Sequence, residues 1–418
     1  MGKRIKKSRV VNRSILMVLL VSLFAVGVMF VADDAKAEEN KRFKIFLSLS
    51  YSGNVWQSSA ANIVKALAKT PPYDEMVELT EVISGSNVEK QISDYQSMIA
   101  NGADGIISFP VSPTGLNRVI REGSKKGVLF FMYDSTVTEP SAYNVSYITA
   151  GHGENTAQYL VNLMGGKGTV MINRGVPGNS VDMRHYNGSM AIFKRYPGIK
   201  VVNEYYGYWD DAKSQQATSQ ALAAYPDVDG ICSQLGEYGV LRACLASGSK
   251  KIPFIVGEDT NGIRLAFADP EMQKRGLKGV SAGSPPATAG YAFKLMMELL
   301  TENRKDLVHN IEYPLPWVEW DKVKLCKGDV FEDGCNCFPA DKVAPTMTDE
   351  VLHPVLLPEI SLKSAQTGEP MPGARIQPLP KDVTEARSEP GINCNPKSGK
   401  CVDPVYEPYM VTPIPVPK

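Results

Sequence analysis

The sequence predicts an α/β protein made of two successive lobes, each a parallel β-sheet covered by helices, behind an export signal and ahead of a proline- and cysteine-rich C-terminal extension. Three observations predict it. Short β-branched or aromatic runs alternate with amphipathic helical stretches from Phe43 to about Trp320. That rhythm restarts once, after a polar connector from Asp134 to Asn144. It stops beyond Lys324, where proline, glycine and cysteine take over.

The N-terminus carries Lys3, Arg4, Lys6, Lys7, Arg9 and Arg13, then an almost unbroken apolar run from Ile15 to Ala32, then Ala35-Lys36-Ala37. A basic start, an apolar core and small residues at a cut site make an export signal over residues 1–37, with the mature chain expected to begin near Glu38. The apolar run is close to membrane-spanning length, so an uncleaved anchor is the alternative; the Ala-x-Ala site favours cleavage. No cysteine precedes Cys232, which excludes a lipid anchor on an N-terminal cysteine.

In the first lobe, strands are expected at Lys44 to Ser50, Met76 to Val82, Gly105 to Phe109 and Val128 to Tyr133. Helices are expected over Ala60 to Lys69, Val88 to Ala100 and around Leu116 to Gly123. Val88, Ile92, Tyr95 and Ile99 recur at four, three and four residues and so share one helical face. In the second lobe, strands are expected at Gly168 to Asn173, Lys200 to Tyr206, Gly230 to Ser233, Pro253 to Gly257 and Gly279 to Ala282. Its helices are Thr156 to Met164, Val181 to Tyr196, Asp211 to Tyr225 and Tyr238 to Ser247, and Thr288 to Thr301 follows the last strand. Alternating strands and helices demand a parallel sheet with helices on both faces.

The 418 residues hold 45 Lys plus Arg and 45 Asp plus Glu. Losing the basic signal leaves a mildly acidic mature protein of about 380 residues, enough for two domains. It has no long basic run, so no nucleic-acid partner is expected. Cysteines fall at 232 and 244, then at 326, 335, 337, 394 and 401. In an oxidising compartment the late cluster is expected to form disulfides, and the odd total leaves a thiol over. A zinc site of Cys326, Cys335, Cys337 and His353 is the sharper alternative, but Cys-x-Cys lacks the paired Cys-x-x-Cys spacing. The extension, with Val411-Thr-Pro-Ile-Pro-Val-Pro near its end, is expected to be an extended or disulfide-tied appendage that buries little.

Ligands of parallel α/β sheets sit beyond the carboxyl ends of strands. Those positions hold Asn54-Val55-Trp56-Gln57, Pro110-Val111-Ser112, Asp134-Ser135, Arg174 to Arg184, Trp209-Asp210, Ser233-Gln234, Glu258-Asp259 and Gly283-Ser284. Aromatic plates with amides and carboxylates suit a sugar or polyol: a ring face covers the C–H patch and the polar groups pair with hydroxyls. Asn54 and Ser135 double as turn formers and Asp210 as a helix N-cap. Asp134 and Asp259 stand out, because each follows a strongly apolar strand where a carboxylate needs a partner. His-Glu-x-x-His and Gly-x-Gly-x-x-Gly are missing, and Gly165-Gly166-Lys167-Gly168-Thr169 lacks the spacing of a phosphate loop. The expectation is a non-enzyme with no cofactor and no metal, although Asp134 and Asp259 as a carboxylate pair would be the enzymatic alternative.

Asn54-Val55-Trp56, Ala103-Asp104-Gly105-Ile-Ile-Ser-Phe-Pro, Phe131-Met132-Tyr133-Asp134, Pro226-Asp227-Val228-Asp229-Gly230-Ile231, Gly239-Val-Leu-Arg-Ala and Val256-Gly257-Glu258-Asp259, behind an export signal, resemble the periplasmic sugar-binding proteins of ABC importers, the type I, ribose-binding-like group. The resemblance covers Phe43 to Lys324. It implies two Rossmann-like lobes joined by a three-strand hinge and closing on ligand. The first would be 43–145 with 284–312, the second 146–283, the crossing segment 313–324 and the extension 325–418. Asn54, Trp56 and Asp134 would face ligand from the first lobe, and Arg184 or His185, Trp209, Gln234 and Asp259 from the second. Asp134-Ser135 stands where the family has Asp-Arg, which removes a bidentate guanidinium. Ser233-Gln234 replaces Asn-Asp, and Gly283 stands where Gln or Asn is common, so the pocket is expected to suit something larger or less hydroxylated than a simple aldose. The implied protein is a periplasmic monomer that delivers its solute to an ABC transporter permease and meets the membrane only through it; the alternative is a sensor subunit that reports occupancy to a receptor or kinase.

Overall fold

Strands buried on both faces of a parallel sheet must be apolar throughout, and the runs identified above take that place. The computed structural model describes residues 42–50, 54–147, 149–283, 285–305, 307–313, 315–329, 334–347, 357–379, 408 and 410–416. The signal segment, Ser284, His353, Cys394 and Cys401 lie outside the described residues.

Two six-stranded sheets form. In the first, β1 (Phe43–Leu49) lies between β2 (Val77–Ile83) and β3 (Gly105–Ser108). Beyond β3 come β4 (Leu129–Tyr133), β5 (Tyr143–Tyr147) and β11 (Asn310–Tyr313), every neighbouring pair parallel. The second sheet runs β12 (Trp317–Glu319), β10 (Gly279–Ala282), β9 (Phe254–Gly257), β8 (Gly230–Ser233), β6 (Lys167–Arg174) and β7 (Gly198–Tyr206), antiparallel only between β10 and β12. The chain passes from one sheet to the other three times, between β5 and β6, β10 and β11, and β11 and β12.

Helices of the first lobe are α1 (Val55–Ala68), α2 (Tyr73–Met76), α3 (Val88–Ala100) and α4 (Asn117–Ser124). The second lobe has α5 (Thr149–Leu163), α6 (Ser180–Phe193), α7 (Asp211–Ala224), α8 (Glu237–Ala246), α9 (Asn261–Ala268) and α10 (Pro270–Lys274). α11 (Ala287–Leu300) returns to pack on α1 and β4, and α12 (Leu362–Thr367) lies on α1. Among the described residues no helix is long and apolar enough to cross a membrane. On α3 the buried face is Gln91, Tyr95 and Met98, with Ile92 and Ile99 half-buried, because Gln91 is drawn inward to hold the Phe109 carbonyl and the Val111 N–H.

The extension departs from expectation. Phe338, Val343, Met347, Leu357, Ile360, Leu362 and Ala365 are all buried, against the lobes rather than in a core of their own. Residues 334–347 clamp α9: Asn261 donates its N–H to Met347 O at 2.7 Å, and Arg264 Nη1 donates to Asn336 O at 2.7 Å. Residues 357–379 clamp α1 and α11 through Asn62 Nδ2 to Gln366 O at 2.9 Å and Lys294 to Glu359 at 2.7 Å. Residues 410–416 lie on the second lobe, where Tyr196 Oη donates to Ile414 O at 2.8 Å. Cys326 and Cys335 form a disulfide, which removes two of the four ligands of the alternative zinc site. Cys232 and Cys244 are buried free thiols, and Cys337 is buried with its sulfur 3.6 Å from Asn261 Oδ1.

Candidate functional site

Each parallel strand hands its chain to a helix through a short turn, and those turns face one another between the lobes. Asn54 caps α1 by accepting the Gln57 N–H at 2.9 Å, and its own Nδ2 donates across the cleft to Trp209 O at 3.1 Å. Asp210 caps α7, accepting the Lys213 N–H at 2.8 Å, as its place before the helix predicted. A second set of bonds joins the lobes at Ser135: its Oγ donates to Pro110 O at 2.9 Å and lies 3.0 Å from Ser180 Oγ. Thr136 N–H donates to the same Ser180 Oγ at 3.0 Å, and Asn179 Nδ2 to Pro110 O at 3.2 Å.

Between these contacts lies a cavity, open to solvent, lined by Asn54, Trp56, Phe109, Asp134, Val181, Trp209, Leu235 and Glu258. An adjoining depression continues from it past Asp210, Arg242 and Thr346. Three of the lining residues, Asp134, Trp209 and Leu235, have left-handed backbone φ of 61°, 56° and 63°. Non-glycine residues adopt that conformation at a cost of about 1–3 kcal/mol each, and such strain gathers where a fold holds side chains in place for a ligand. Trp209 lies flat on Gly175: a Cβ there would stand 2.1 Å from the indole nitrogen. Trp56 stacks on Tyr133 with centroids 6.3 Å apart, and Phe109 meets both tryptophans edge-on.

Of the residues singled out from sequence, Asn54, Trp56, Asp134 and Trp209 therefore share one cavity. Arg184, Gln234 and Asp259 do not line it. Arg184 is half-buried on α6. Gln234 is buried and donates Nε2 to Asp182 O at 3.2 Å, steadying the turn that Asp182 also holds through Arg174 at 2.6 Å. Asp259 is fully buried with its carboxyl against Gly283, where a Cβ would stand 2.7 Å from it, and its neighbour Glu258 lines the cavity. Val181 and Glu258 lie within strand-end stretches named from sequence; Phe109 and Leu235 were missed, and each is the immediate neighbour of a named position, Pro110 and Gln234.

The cavity is acidic. Burial pushes the Glu258 carboxyl well above the usual carboxylate range, reinforced by Glu237, Asp134 and Asp259. Burial also pushes Glu237 up to about 8 and Asp211 up to about 6. His152 and His185 are stacked 4.0 Å apart behind Glu258, and burial lowers His152 to about 3 and His185 well below its ordinary value, so both are neutral imidazoles at neutral pH.

The raised Glu237 has a testable consequence. A group whose folded pKa is raised stabilises fully below its unfolded value, near 4.5, and that contribution is lost as pH rises through about 8. Glu237→Gln is expected to leave stability at pH 5 nearly unchanged and to raise it at pH 8.5 by on the order of a few kcal/mol. Urea unfolding at the two pH values reads this directly; an unchanged difference between them would mean that Glu237 is not held neutral.

Two α/β lobes enclosing a small aromatic and acidic cavity at their strand ends define a two-lobed binding protein. Residues 45–305 match the periplasmic binding protein domain family, and the chain belongs to it. It is 27% identical over 187 residues to the xylitol-binding protein of Mycolicibacterium smegmatis, covering 44% of this chain and 53% of that one. It is 22% identical over 306 residues to the ribose import binding protein of Bacillus subtilis, covering 71% and 94%. The chain thus spans about half the length of the first relative and nearly all of the second. Among solved structures, an ABC transporter solute binding protein from Thermobispora bispora superposes with a TM-score of 0.62 at 24% identity, over 81% of this chain and 99% of that one. The fructose binding periplasmic domain of a hybrid two-component system superposes at 0.57 and 18% identity, over 66% and 91%.

Proposed function

We propose that this chain is a periplasmic solute-binding protein that captures a neutral sugar or polyol between its lobes and delivers it to an ABC transporter permease. The observation that carries the reading is the cavity itself: Trp56, Phe109 and Trp209 offer apolar faces, Asn54, Asp134 and Glu258 offer hydroxyl partners, and no described lining residue is basic. The xylitol- and ribose-binding relatives agree with a ligand of that chemistry. The less hydroxylated ligand expected from the loss of Asp-Arg still fits, because Ser135 bonds across the lobes instead of facing the cavity.

Isothermal titration against neutral pentitols, hexitols, pentoses and hexoses, with the matching sugar acids and phosphates, tests this. One neutral compound is expected to bind one per chain at micromolar affinity or better, with its anionic counterpart weakened at least about 100-fold, the scale of like-charge juxtaposition. Preference for the anion, or no binding across the neutral panel, would overturn the assignment. The sensor reading draws on the two-component domain of the same fold. A permease and ATPase encoded beside this gene favour import, and a histidine kinase there favours sensing.

A further inference from the structure

Two buried imidazoles meet a buried carboxylate just behind the cavity wall. His152 on α5 and His185 on α6 are 0% and 1% exposed, and their rings stack at 4.0 Å with planes 17° apart. The approach depends on Gly153, where a Cβ would stand 2.1 Å from the His185 carbonyl oxygen. The ring nitrogens lack well-formed hydrogen bonds: His152 has only the Ala282 backbone beside it. His185 Nδ1 and Glu258 Oε1 face each other at 3.5 Å, too far apart for a good hydrogen bond. One donor atom each from His152, His185 and Glu258 lies within 4.8 Å of the other two.

We propose that His152, His185 and Glu258 form a binding site for a divalent d-block cation of the zinc class, with its open coordination position turned toward the cavity. Two neutral imidazoles and one carboxylate are a donor set that zinc accepts while keeping a fourth position free. Bonds of about 2.0–2.1 Å close the 3.5 Å span from His185 to Glu258 at roughly 115–120°, near the tetrahedral angle. Bringing His152 into the same sphere takes a shift of up to about 1.5 Å from the 4.8 Å limit. Glu258 lines the cavity, as does Val181, one helical turn before His185, so a fourth ligand reaches the ion from that side. Burial otherwise leaves these imidazole nitrogens poorly satisfied, a cost that coordination removes. The site does not depend on which solute fills the cavity.

The test uses the tag-free exported chain, stripped of metal by a chelator and titrated with Zn²⁺ alone, then with Co²⁺ as a spectroscopic probe. One Zn²⁺ per chain is expected, together with a visible Co²⁺ absorption typical of four or five ligands. His185→Gln should weaken Zn²⁺ at least about 100-fold and Glu258→Gln at least about tenfold, while His309→Gln, whose ring stacks on Tyr143 outside the cluster, should leave it unchanged. No retained Zn²⁺, a six-coordinate aqua-type Co²⁺ spectrum, or a folded His185→Gln that binds as wild type would each overturn the site. The Co²⁺ spectrum of the wild type decides even where a variant fails to fold. Sugar or polyol titration is a separate measurement, so loss of one reading does not remove the other.

Discussion

Glu359→Ala is expected to destabilise the protein by about 3–5 kcal/mol, the scale seen when one member of a buried ion pair is removed. Glu359 and Lys294 are 2% and 1% exposed and meet at 2.7 Å, the carboxylate coming from the extension and the ammonium from α11. Burial pulls the Lys294 pKa down and Glu359 pulls it back, so the carboxylate is what keeps this ammonium charged inside the first lobe. Without it the chain must hold an isolated buried cation, deprotonate it, or release the extension to water. Release caps the cost, because the loss cannot exceed the free energy with which residues 357–379 dock. Two measurements separate these outcomes: urea unfolding gives the global loss, and limited proteolysis reads whether that segment detaches first. The double change Lys294→Met with Glu359→Leu should recover most of the stability, since a well-packed apolar pair often equals a buried ion pair. A single Glu359→Ala within about 1 kcal/mol of wild type, with no added proteolysis, would show that the pair holds nothing together.

The same docking explains what composition hid. Proline and glycine mark a segment that cannot build its own core, and that much holds for the extension. They carry no information about whether another core offers room. Phe338, Val343 and Leu357 find that room between α9 and α11. Within the lobes, strongly apolar runs such as Leu129–Tyr133 were legible because a fully buried parallel strand has no polar positions. β5, β11 and β12 were not, because YNVSY, NIEY and WVE are short and mixed in polarity and are ordered by pairing, β11 and β12 at sheet edges and β5 next to β11. The cavity shows the limit most clearly. The rule that ligands gather at strand ends found the right turns, yet Phe109 and Leu235 line the space where Pro110 and Gln234 had been named, and of the named pair Glu258 and Asp259 it is Glu258 that lines it. Consecutive extended residues face opposite ways, and only the structure fixes which of the two parities points inward. The His152, His185 and Glu258 cluster was not legible as a cluster, since its members come from two helices and a strand-end turn far apart in the chain.

Trp209→Ala is expected to weaken solute binding by about 2–4 kcal/mol, some 30- to 1,000-fold, the range for truncating a central desolvated aromatic. The indole is 5% exposed, closes the cavity from the second lobe, and stands in a turn where both Tyr208 and Trp209 have φ of 56°. Its carbonyl also receives Asn54 Nδ2 from the first lobe, so one residue supplies both a wall of the cavity and a latch across it. The two roles separate by mutation. Asn54→Ala removes the latch and the α1 cap while the ring stays, and should cost about 1 kcal/mol of stability through the lost cap. Gly175→Ala leaves Trp209 in the sequence but puts a methyl group where the ring lies, 2.1 Å from its nitrogen, so the indole must swing away. If the ring's position carries the affinity, Gly175→Ala should approach Trp209→Ala in the titration and quench or shift tryptophan fluorescence even without solute. Gly175→Ala binding as tightly as wild type would place the solute elsewhere in the cleft, and a loss in Asn54→Ala as large as that in Trp209→Ala would assign the effect to closure instead of stacking.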